Sequence, residues 1–189
     1  MHLLVDTVSP VAAFVFFDSD RNVVRIDREA MSGREFERFL ARISESCAEL
    51  GMKPKDLQGI VCVRGPAGFT GIRIVSLTLG TLSFTAGIPL FGIDYAELQL
   101  AAGWNGGTLV RANRDEYAFS PSPGAGFSVM RKSDVPDGRY RGIADEFDFE
   151  GRGISVKSEV DYAWAVRSFD LSSPSNRIEP FYVKKPHIT

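Results

Sequence analysis

Histidine and cysteine are scarce in this chain, which has two of each among its 189 residues. His2 and His187 lie near opposite ends of the sequence, so local spacing assembles neither a metal cluster nor a serine–histidine–aspartate set. We expect both imidazoles to lie on the surface. Cys47 and Cys62 form no C-x-x-C pair and fit no disulfide framework. Their pattern predicts a reducing, cytoplasmic location.

The chain also lacks an excess of basic residues, because its net charge at pH 7 is −2. No overall positive field is available to attract nucleic acid. Asp6 interrupts the apolar start of the chain, so we expect no signal peptide, and we expect no segment long enough to span a membrane. A hydrophobic content of 44% and a charged content of 24% are ordinary for a globular protein.

A strand followed by a tight loop is predicted at the centre of the chain. Residues 60–63 are all apolar and indicate a buried strand. Gly65, Pro66 and Gly68 then break the strand, and we expect positive φ at both glycines. The glycine spacing fits neither G-x-G-x-x-G nor a P-loop. Backbone amides after this loop could bind an anion, although a structural turn is the favoured interpretation.

The helix predicted over residues 71–86, with Thr70 as its N-cap, has no polar face. No residue from 74 to 89 is charged. A helix that is apolar all round is buried on all sides, so we expect this one to pack on its own sheet and on a second element. That element is either part of this chain or part of a partner. A stripe of small residues that includes Ser76 and Gly80 permits close approach of another helix, and tight interior packing explains the stripe equally well.

Two charged residues stand out around this unit. Arg73 lies in the first turn of the helix, where a cation is unfavourable unless it is paired. We expect a carboxylate beside it, from this chain or from a partner, and favour the former. Asp6 and Thr7 end the first predicted strand, where a phosphate or metal ligand could lie. A simple turn residue is the more frequent role for such an aspartate.

The first half of the chain, residues 1–103, is predicted to have the order β-β-β-α-β-α-β-α. Three strands within residues 3–26 have short connections, which favours an antiparallel meander. Residues 33–50 have helical apolar spacing, and Ser32 with Glu35 forms a capping-box pattern. A fifth strand and a short helix complete the half. This order predicts a mixed sheet covered by helices.

The second half, residues 104–189, is shorter and less regular. It follows a glycine-rich boundary, and no internal repeat is evident in the sequence. Phe181 and Tyr182 lie in a tail that we expect to dock on the folded domain. Strands are predicted at residues 108–112, 116–119, 127–131, 140–144 and 154–156, and a helix at 160–169.

Several motifs together resemble the bacterial TsaB (YeaZ) family, a subunit of the machinery that makes threonylcarbamoyladenosine in tRNA. The family pattern G-P-G-S-F-T-G-[LI]-R-I-G corresponds to G-P-A-G-F-T-G-I-R-I-V at residues 65–75. The opening D-T-S is similar to D-T-V-S at residues 6–9, and the family's G-I-P-L-x-G-[IV] stands at 87–93. The C-terminal P-[LF]-Y-[LV]-[KR]-x-P stands at 180–186. The signature loop assigned on this basis comprises Gly65, Pro66, Gly68, Phe69, Thr70 and Gly71.

The resemblance implies an α/β fold of the actin and sugar-kinase class (ribonuclease H-like), with two related halves and a reduced second half. It implies a non-catalytic subunit, with no cofactor or metal, that pairs through two helices of its first half with a TsaD-like catalytic subunit. A TsaE-like ATPase is expected to join the complex, and tRNA is expected to bind only to the assembled complex. When alone, the chain is expected to pair with itself. The contact residues expected on this basis are Phe36, Phe39, Ile72, Arg73, Ser76 and Gly80.

The residues themselves agree with a non-catalytic role. Active enzymes of this fold class hold phosphate with a turn of the type D-x-G-x-[ST], whereas residues 6–9 contain no glycine. The H-x-x-x-H metal pair of TsaD is absent as well. Two departures from the TsaB pattern are Ala67-Gly68 in place of Gly-Ser and the absence of His-Ser near residues 31–34. The main alternative is an ATP-binding kinase-like or peptidase-like enzyme, and a third hypothesis is a direct tRNA-binding module.

Overall fold

The computed structural model of this protein describes residues 1–31, 33–145, 147–175 and 177–182. A first sheet of five strands forms the centre of the first half, in the spatial order β3-β2-β1-β4-β5. The first three strands pair antiparallel, as the predicted meander requires, and β4 and β5 add parallel to β1. These strands are β1 (His2–Asp6), β2 (Ala12–Phe17), β3 (Val23–Glu29), β4 (Gly59–Val63) and β5 (Leu90–Ile93).

Four helices cover the two faces of this sheet and explain why β2 and β4 have no polar side chain. Helices α1 (Phe39–Glu49) and α2 (Phe69–Ala86) contribute to the core on one face, and α3 (Tyr95–Ala101) and α4 (Tyr162–Ser168) to the core on the other. A parallel strand that is buried on both faces has no reason to alternate apolar with polar residues. All five residues of β4 are accordingly buried.

The helix predicted over residues 33–50 is divided in the structure. Gly33–Arg38 forms a 3-10 helix, and the α-helix begins only at Phe39. Ser32, the predicted cap of this helix, lies outside the described residues. Phe39 still packs in the core, with its ring centroid 5.6 Å from that of Phe14. The apolar spacing therefore located the buried face correctly and missed the change of helix type.

The second half repeats the topology of the first. Its strands are β6 (Thr108–Arg111), β7 (Glu116–Ser120), β8 (Ser128–Arg131), β9 (Gly138–Ile143) and β10 (Ile154–Lys157). Three antiparallel strands are followed by two parallel ones, in the spatial order β8-β7-β6-β9-β10. All five strands match the strands predicted for this half within a few residues. The two related halves that the resemblance implies are therefore confirmed by the topology, although no repeat was evident in the sequence.

The second half is reduced because two helices are replaced. Where the first half has α1, the second has only the short 3-10 helix Lys132–Asp134. Where the first half has α2, the described residues 144–145 and 147–153 contain turns. A small cluster that includes Val135 and Phe149 covers this face of the second sheet instead. The half retains α4, which corresponds to α3 in the repeat.

One hydrophobic core joins the two halves. It includes Leu4 and Val15 of the first sheet, Val110 and Ala118 of the second, and residues of α3 and α4 between them. The boundary expected near residue 103 falls between α3 and β6. Because apolar burial is the dominant favourable term in folding, this shared core couples the two halves.

His2 and the two cysteines are less accessible than surface residues. The imidazole of His2 stacks on Phe17 with ring centroids 5.2 Å apart, and burial lowers its pKa. His2 is therefore partly buried rather than fully at the surface, and His187 lies outside the described residues. Both cysteines are free and buried. Burial, with a smaller effect of the Asp56 carboxylate, raises the pKa of Cys47 to about 11. Burial and Asp6 raise that of Cys62 to about 12.

These thiols should make folding sensitive to alkaline pH. The pKa of each thiol is higher in the folded state than in the unfolded state, where it is near 9.0. Each neutral thiol therefore stabilises the fold fully below pH 9.0. This stabilisation is lost as the pH rises through the pKa of the folded state. We expect no reaction with a disulfide reagent near pH 8 in the native state, and two reactive thiols after denaturation. In Cys62→Ala, the decline of unfolding free energy above about pH 9 should be shallower. Native thiols that react rapidly at this pH would contradict the expectation.

Candidate functional site

Helix α2 is apolar and mostly unburied. Only 22% of its 18 residues are buried within the chain. The Leu77 side chain is 62% exposed and that of Phe84 89% exposed. The prediction that this helix is buried on all sides is therefore wrong for the chain alone. A large aromatic side chain almost fully in water, on a helix with no charged residue after Arg73, is typical of a surface that another molecule covers.

The ends of α2 also differ in part from the prediction. The helix begins at Phe69 with Gly68 as its N-cap, so Thr70 is its second residue and makes no capping hydrogen bond. Gly87 ends it in the left-handed conformation, with φ 67°, as predicted.

Of the described helices, α2 alone is long and apolar enough to cross a membrane when judged by length and composition, contrary to the expectation that no segment is. Its place in the fold argues against such a role. The helix connects β4 to β5, which are paired neighbours in one sheet. A helix that crossed a membrane would place the end of β4 and the start of β5 on opposite sides and break this pairing.

The signature loop holds the C-terminal segment of the chain. Gly65 has φ 124°, and a Cβ at this position would lie 2.3 Å from the carbonyl oxygen of Phe181. The backbone amide of Phe181 donates to the carbonyl of Arg64 at 2.7 Å, and the ring of Tyr182 lies 4.8 Å from that of Phe69. Glycine is required here because only it combines this φ with so close a backbone approach. The predicted docking of the tail is confirmed for Phe181 and Tyr182, and the tail motif at 183–186 lies outside the described residues.

Gly71 and Gly68, the other glycines of the signature loop, differ from Gly65 in their surroundings and backbone conformation. A Cβ on Gly71 would lie 2.5 Å from the ring of Phe36, so this ring packs directly on the start of α2. Gly68 has an ordinary φ of −61°, and the expectation of positive φ there is wrong. Phe36 is therefore half-buried against the helix and joins it to the 3-10 helix before α1.

A groove runs between α2 and the C-terminal segment. Its volume is about 450 Å³. The helix supplies one wall and the tail the other. Its lining residues are Arg73, Ser76, Leu77, Gly80, Thr81, Phe84, Arg177, Ile178, Pro180 and Tyr182.

Arg73 stands at one end of the groove without a carboxylate partner among the described residues. It is exposed, and its guanidinium carbon lies 5.6 Å from the centre of the Phe69 ring. The favoured expectation of an ion pair within the chain is thus wrong for the described part of the chain. A cation–π contact at an exposed site contributes only about 0.5–1 kcal/mol. The charge remains available to an acidic group from outside.

The structure separates the six predicted contact residues into three groups. Phe36 packs at the start of α2, outside the groove. Phe39 and Ile72 are only 1% and 2% exposed, so they belong to the core and are removed from the contact set. Arg73, Ser76 and Gly80 line the groove. Leu77 and Phe84 lie there too, and sequence analysis missed them because every face of α2 looks equally apolar.

A second polar site lies at the turn after β1, where Asp6 is fully buried. One carboxylate oxygen accepts from the amides of Val8 at 2.9 Å and Ser9 at 3.0 Å. The other accepts from Ser9 Oγ at 2.6 Å and from the hydroxyl of Tyr162 at 2.7 Å. A carboxylate has about four lone-pair positions. All four are therefore filled by donors from the protein.

Two tyrosines converge on this turn from equivalent positions of the two halves. Tyr95 is the first residue of α3 and Tyr162 the first of α4, and each follows an N-capping aspartate, Asp94 or Asp161. The hydroxyl of Tyr95 lies 3.2 Å from Ser9 Oγ. Burial and the nearby Asp6 charge raise the pKa of both phenols. The tripeptide Asp-Tyr-Ala at residues 94–96 and 161–163 is a sequence signal of the repeat that analysis of the sequence missed.

The remaining polar clusters join elements within each half. Asp27 accepts from Arg25 at 2.8 Å and from Ser46 at 2.7 Å, which links β3 to α1. Asp148 accepts from Lys132 at 2.9 Å and from Tyr117 in the second half. Across the described residues, no group of three or more histidine, cysteine or acidic side chains is placed to hold a metal ion. Neither cluster opens into the groove.

The repeated strand order, with helices between the two sheets, defines the class of protein: an α/β fold of the actin and sugar-kinase type in two related halves. Two of the solved structures that are similar to this chain come from Pseudomonas aeruginosa. One is YeaZ from Pseudomonas aeruginosa, with a TM-score of 0.64, 17% identity and coverage of 88% of both chains. The other is an uncharacterized protein with similarity to peptidase YEAZ from Pseudomonas aeruginosa, with a TM-score of 0.65, 18% identity and the same coverage of 88%.

At the level of sequence, a family model described as TsaD, tRNA N6-adenosine threonylcarbamoyltransferase, matches residues 30–114. No curated protein sequence matches this chain. The matched region is less than half of the chain and includes α1, the signature loop and α2. The chain therefore has the YeaZ fold, and the predicted resemblance to TsaB (YeaZ) is confirmed at that level.

Proposed function

We infer that this protein is a non-catalytic subunit of the complex that makes threonylcarbamoyladenosine in tRNA. The observation on which the proposal rests is α2, an apolar helix whose Phe84 is 89% exposed. The TsaD family match over residues 30–114 and the YeaZ fold indicate the pathway. Together they support a chain that acts by presenting a helix to a related subunit.

The partner should be a TsaD-like catalytic subunit that covers the groove between α2 and the tail. Leu77 and Phe84 would supply apolar contact, since interface cores concentrate their energy in a few large side chains. Arg73, without a carboxylate of its own among the described residues, would pair with an acidic residue of the partner. Gly80 leaves space for the partner because no atom lies within 4 Å of its Cβ position.

The turn at Asp6 supports the absence of catalysis in this chain. Its carboxylate is satisfied by four protein donors, which leaves no lone pair directed at a substrate or ion. We further propose that the chain is cytoplasmic, that it pairs with itself when the partner is missing, that a TsaE-like ATPase joins the assembly, and that tRNA binds only to the assembled complex. The net charge of −2 agrees with the last point.

Co-expression with the TsaD homologue of the same genome tests the proposal. We expect a single complex in size-exclusion chromatography, and no heat of binding when ATP and Mg²⁺ are titrated into the isolated chain. A separate gel shift of the isolated chain with tRNA should show no complex at moderate salt. Failure to co-elute, together with binding of ATP by the chain alone, would instead favour the kinase-like or peptidase-like enzyme.

A further inference from the structure

The geometry points to Tyr162 as an interdomain latch, a side chain of the second half that closes the cleft between the two halves by holding Asp6 of the first. Asp6 ends β1, and Tyr162 begins α4 directly after β10. Their hydrogen bond of 2.7 Å is fully buried and joins residues 156 positions apart. Of the four donors to this carboxylate, Tyr162 is the one that comes from the second half.

Further contacts hold the same helix to the first half. The guanidinium carbon of Arg28, on β3, lies 5.4 Å from the centre of the Tyr162 ring. Arg21, in the turn before β3, donates to the carbonyl of Val166 at 3.3 Å. Helix α4 is thus covalently continuous with the second sheet and is bound at three places to the first half. A contact set of this kind resists rotation of one half against the other.

Little space remains in the cleft beside the latch. The cavity at this place has a volume of about 270 Å³ and is lined by residues of both halves, including Ser9, Arg28, Glu159 and Tyr162. Small-molecule sites usually measure about 300–1,000 Å³. The cavity lies slightly below this range, and Tyr162, one of its lining residues, bridges the two halves through its bond to Asp6.

The equivalent residue shows why only one tyrosine can act in this way. Tyr95 occupies the same position in the repeat, and its hydroxyl contacts Ser9 Oγ. Tyr95 and Ser9 both belong to the first half, so this contact cannot join the halves. The repeated topology places two tyrosines around one turn, and the one from α4 bridges the interface.

The test compares two variants that each lose one buried tyrosine hydroxyl. Tyr162→Phe removes the contact between halves. The matched control, Tyr140→Phe, removes a bond of 3.0 Å to the carbonyl of Pro136 within the second half. Spin labels at Lys55→Cys and Arg139→Cys, exposed positions in different halves, report the separation of the halves by pulsed electron resonance.

In Tyr162→Phe we expect a longer or broader distance distribution between the two spin labels. We also expect amide exchange in α4 to be about tenfold faster. A tenfold change in exchange rate corresponds to the loss of about 1.4 kcal/mol, which is the contribution of one hydrogen bond. Tyr140→Phe should retain the distribution of the unsubstituted chain. If Tyr162→Phe does not fold, Arg28→Ala at the surface should produce a smaller shift in the same direction. An unchanged distribution and exchange rate, or equal broadening in Tyr162→Phe and Tyr140→Phe, would overturn the latch. The measurement uses the isolated chain diluted with unlabelled chain, so neither the proposed partner nor self-pairing contributes to the distances.

Discussion

Gly80→Arg should abolish co-elution with the TsaD-like subunit and leave the isolated chain at least as stable as before. Gly80 lines the groove on α2, and its Cβ position meets no atom within 4 Å. An arginine therefore extends into the space that the partner would occupy. Replacing a glycine inside a helix also stabilises the helix by about 0.5–1 kcal/mol. We expect a fall in affinity of about 100-fold or more, measured by titration calorimetry with the purified partner.

Two further variants make this test specific. Phe84→Ser removes a side chain that is 89% exposed, so it should cost the isolated chain little and weaken the complex strongly. Ala163→Arg is the matched control, because it places the same charged group on an exposed position of α4 in the second half. The control should co-elute normally. Retained binding in Gly80→Arg would show that the groove is not the interface, whereas loss of binding in the control would indicate a general charge effect.

Asp6→Ala should lower the free energy of unfolding by about 2–6 kcal/mol, because the two most buried donors, the Val8 amide and the Tyr162 hydroxyl, lose their acceptor at a cost of about 1–3 kcal/mol each. The substitution leaves two amides and two hydroxyls around this turn without their acceptor. Urea denaturation followed by circular dichroism measures the change. Asp6→Asn, which keeps one carbonyl oxygen, should be intermediate.

The control for this prediction is Asp20→Ala, an exposed aspartate in the turn between β2 and β3. Surface substitutions of this type usually change stability by less than about 0.5 kcal/mol. The direction of the Asp6 effect separates two roles. A carboxylate kept for structure stabilises the fold, whereas a catalytic one is commonly retained at some cost in stability. An Asp6→Ala variant of normal stability would favour the enzyme hypothesis.

Local signals in the sequence were sufficient for most of the fold. The apolar run at residues 60–63 correctly predicted β4, and the predicted antiparallel meander corresponds to β1, β2 and β3. Helix α2 ends at Gly87, as predicted. Even the irregular second half had its strands placed within a few residues. These elements follow from side-chain periodicity and from the backbone preferences of glycine and proline, which act over a few neighbouring positions.

Exposure could not be predicted in the same way. The sequence shows that α2 is apolar on every face, and the expectation of complete burial followed from that composition. Whether a helix face is covered depends on which elements the topology brings to it, and here only one side meets the sheet. For the same reason Phe39 and Ile72 entered the predicted contact set, while Leu77 and Phe84 did not.

The sequence by itself determined the order of the elements, the signature loop and the resemblance to TsaB. The tertiary structure decided the roles of particular residues. It placed the tail over Gly65 to form one wall of the groove, left Arg73 without a carboxylate among the described residues, and brought Tyr162 to Asp6 across 156 positions of chain. Such contacts join residues that are far apart in sequence, and they arise only when two sheets and the helices between them pack into one core.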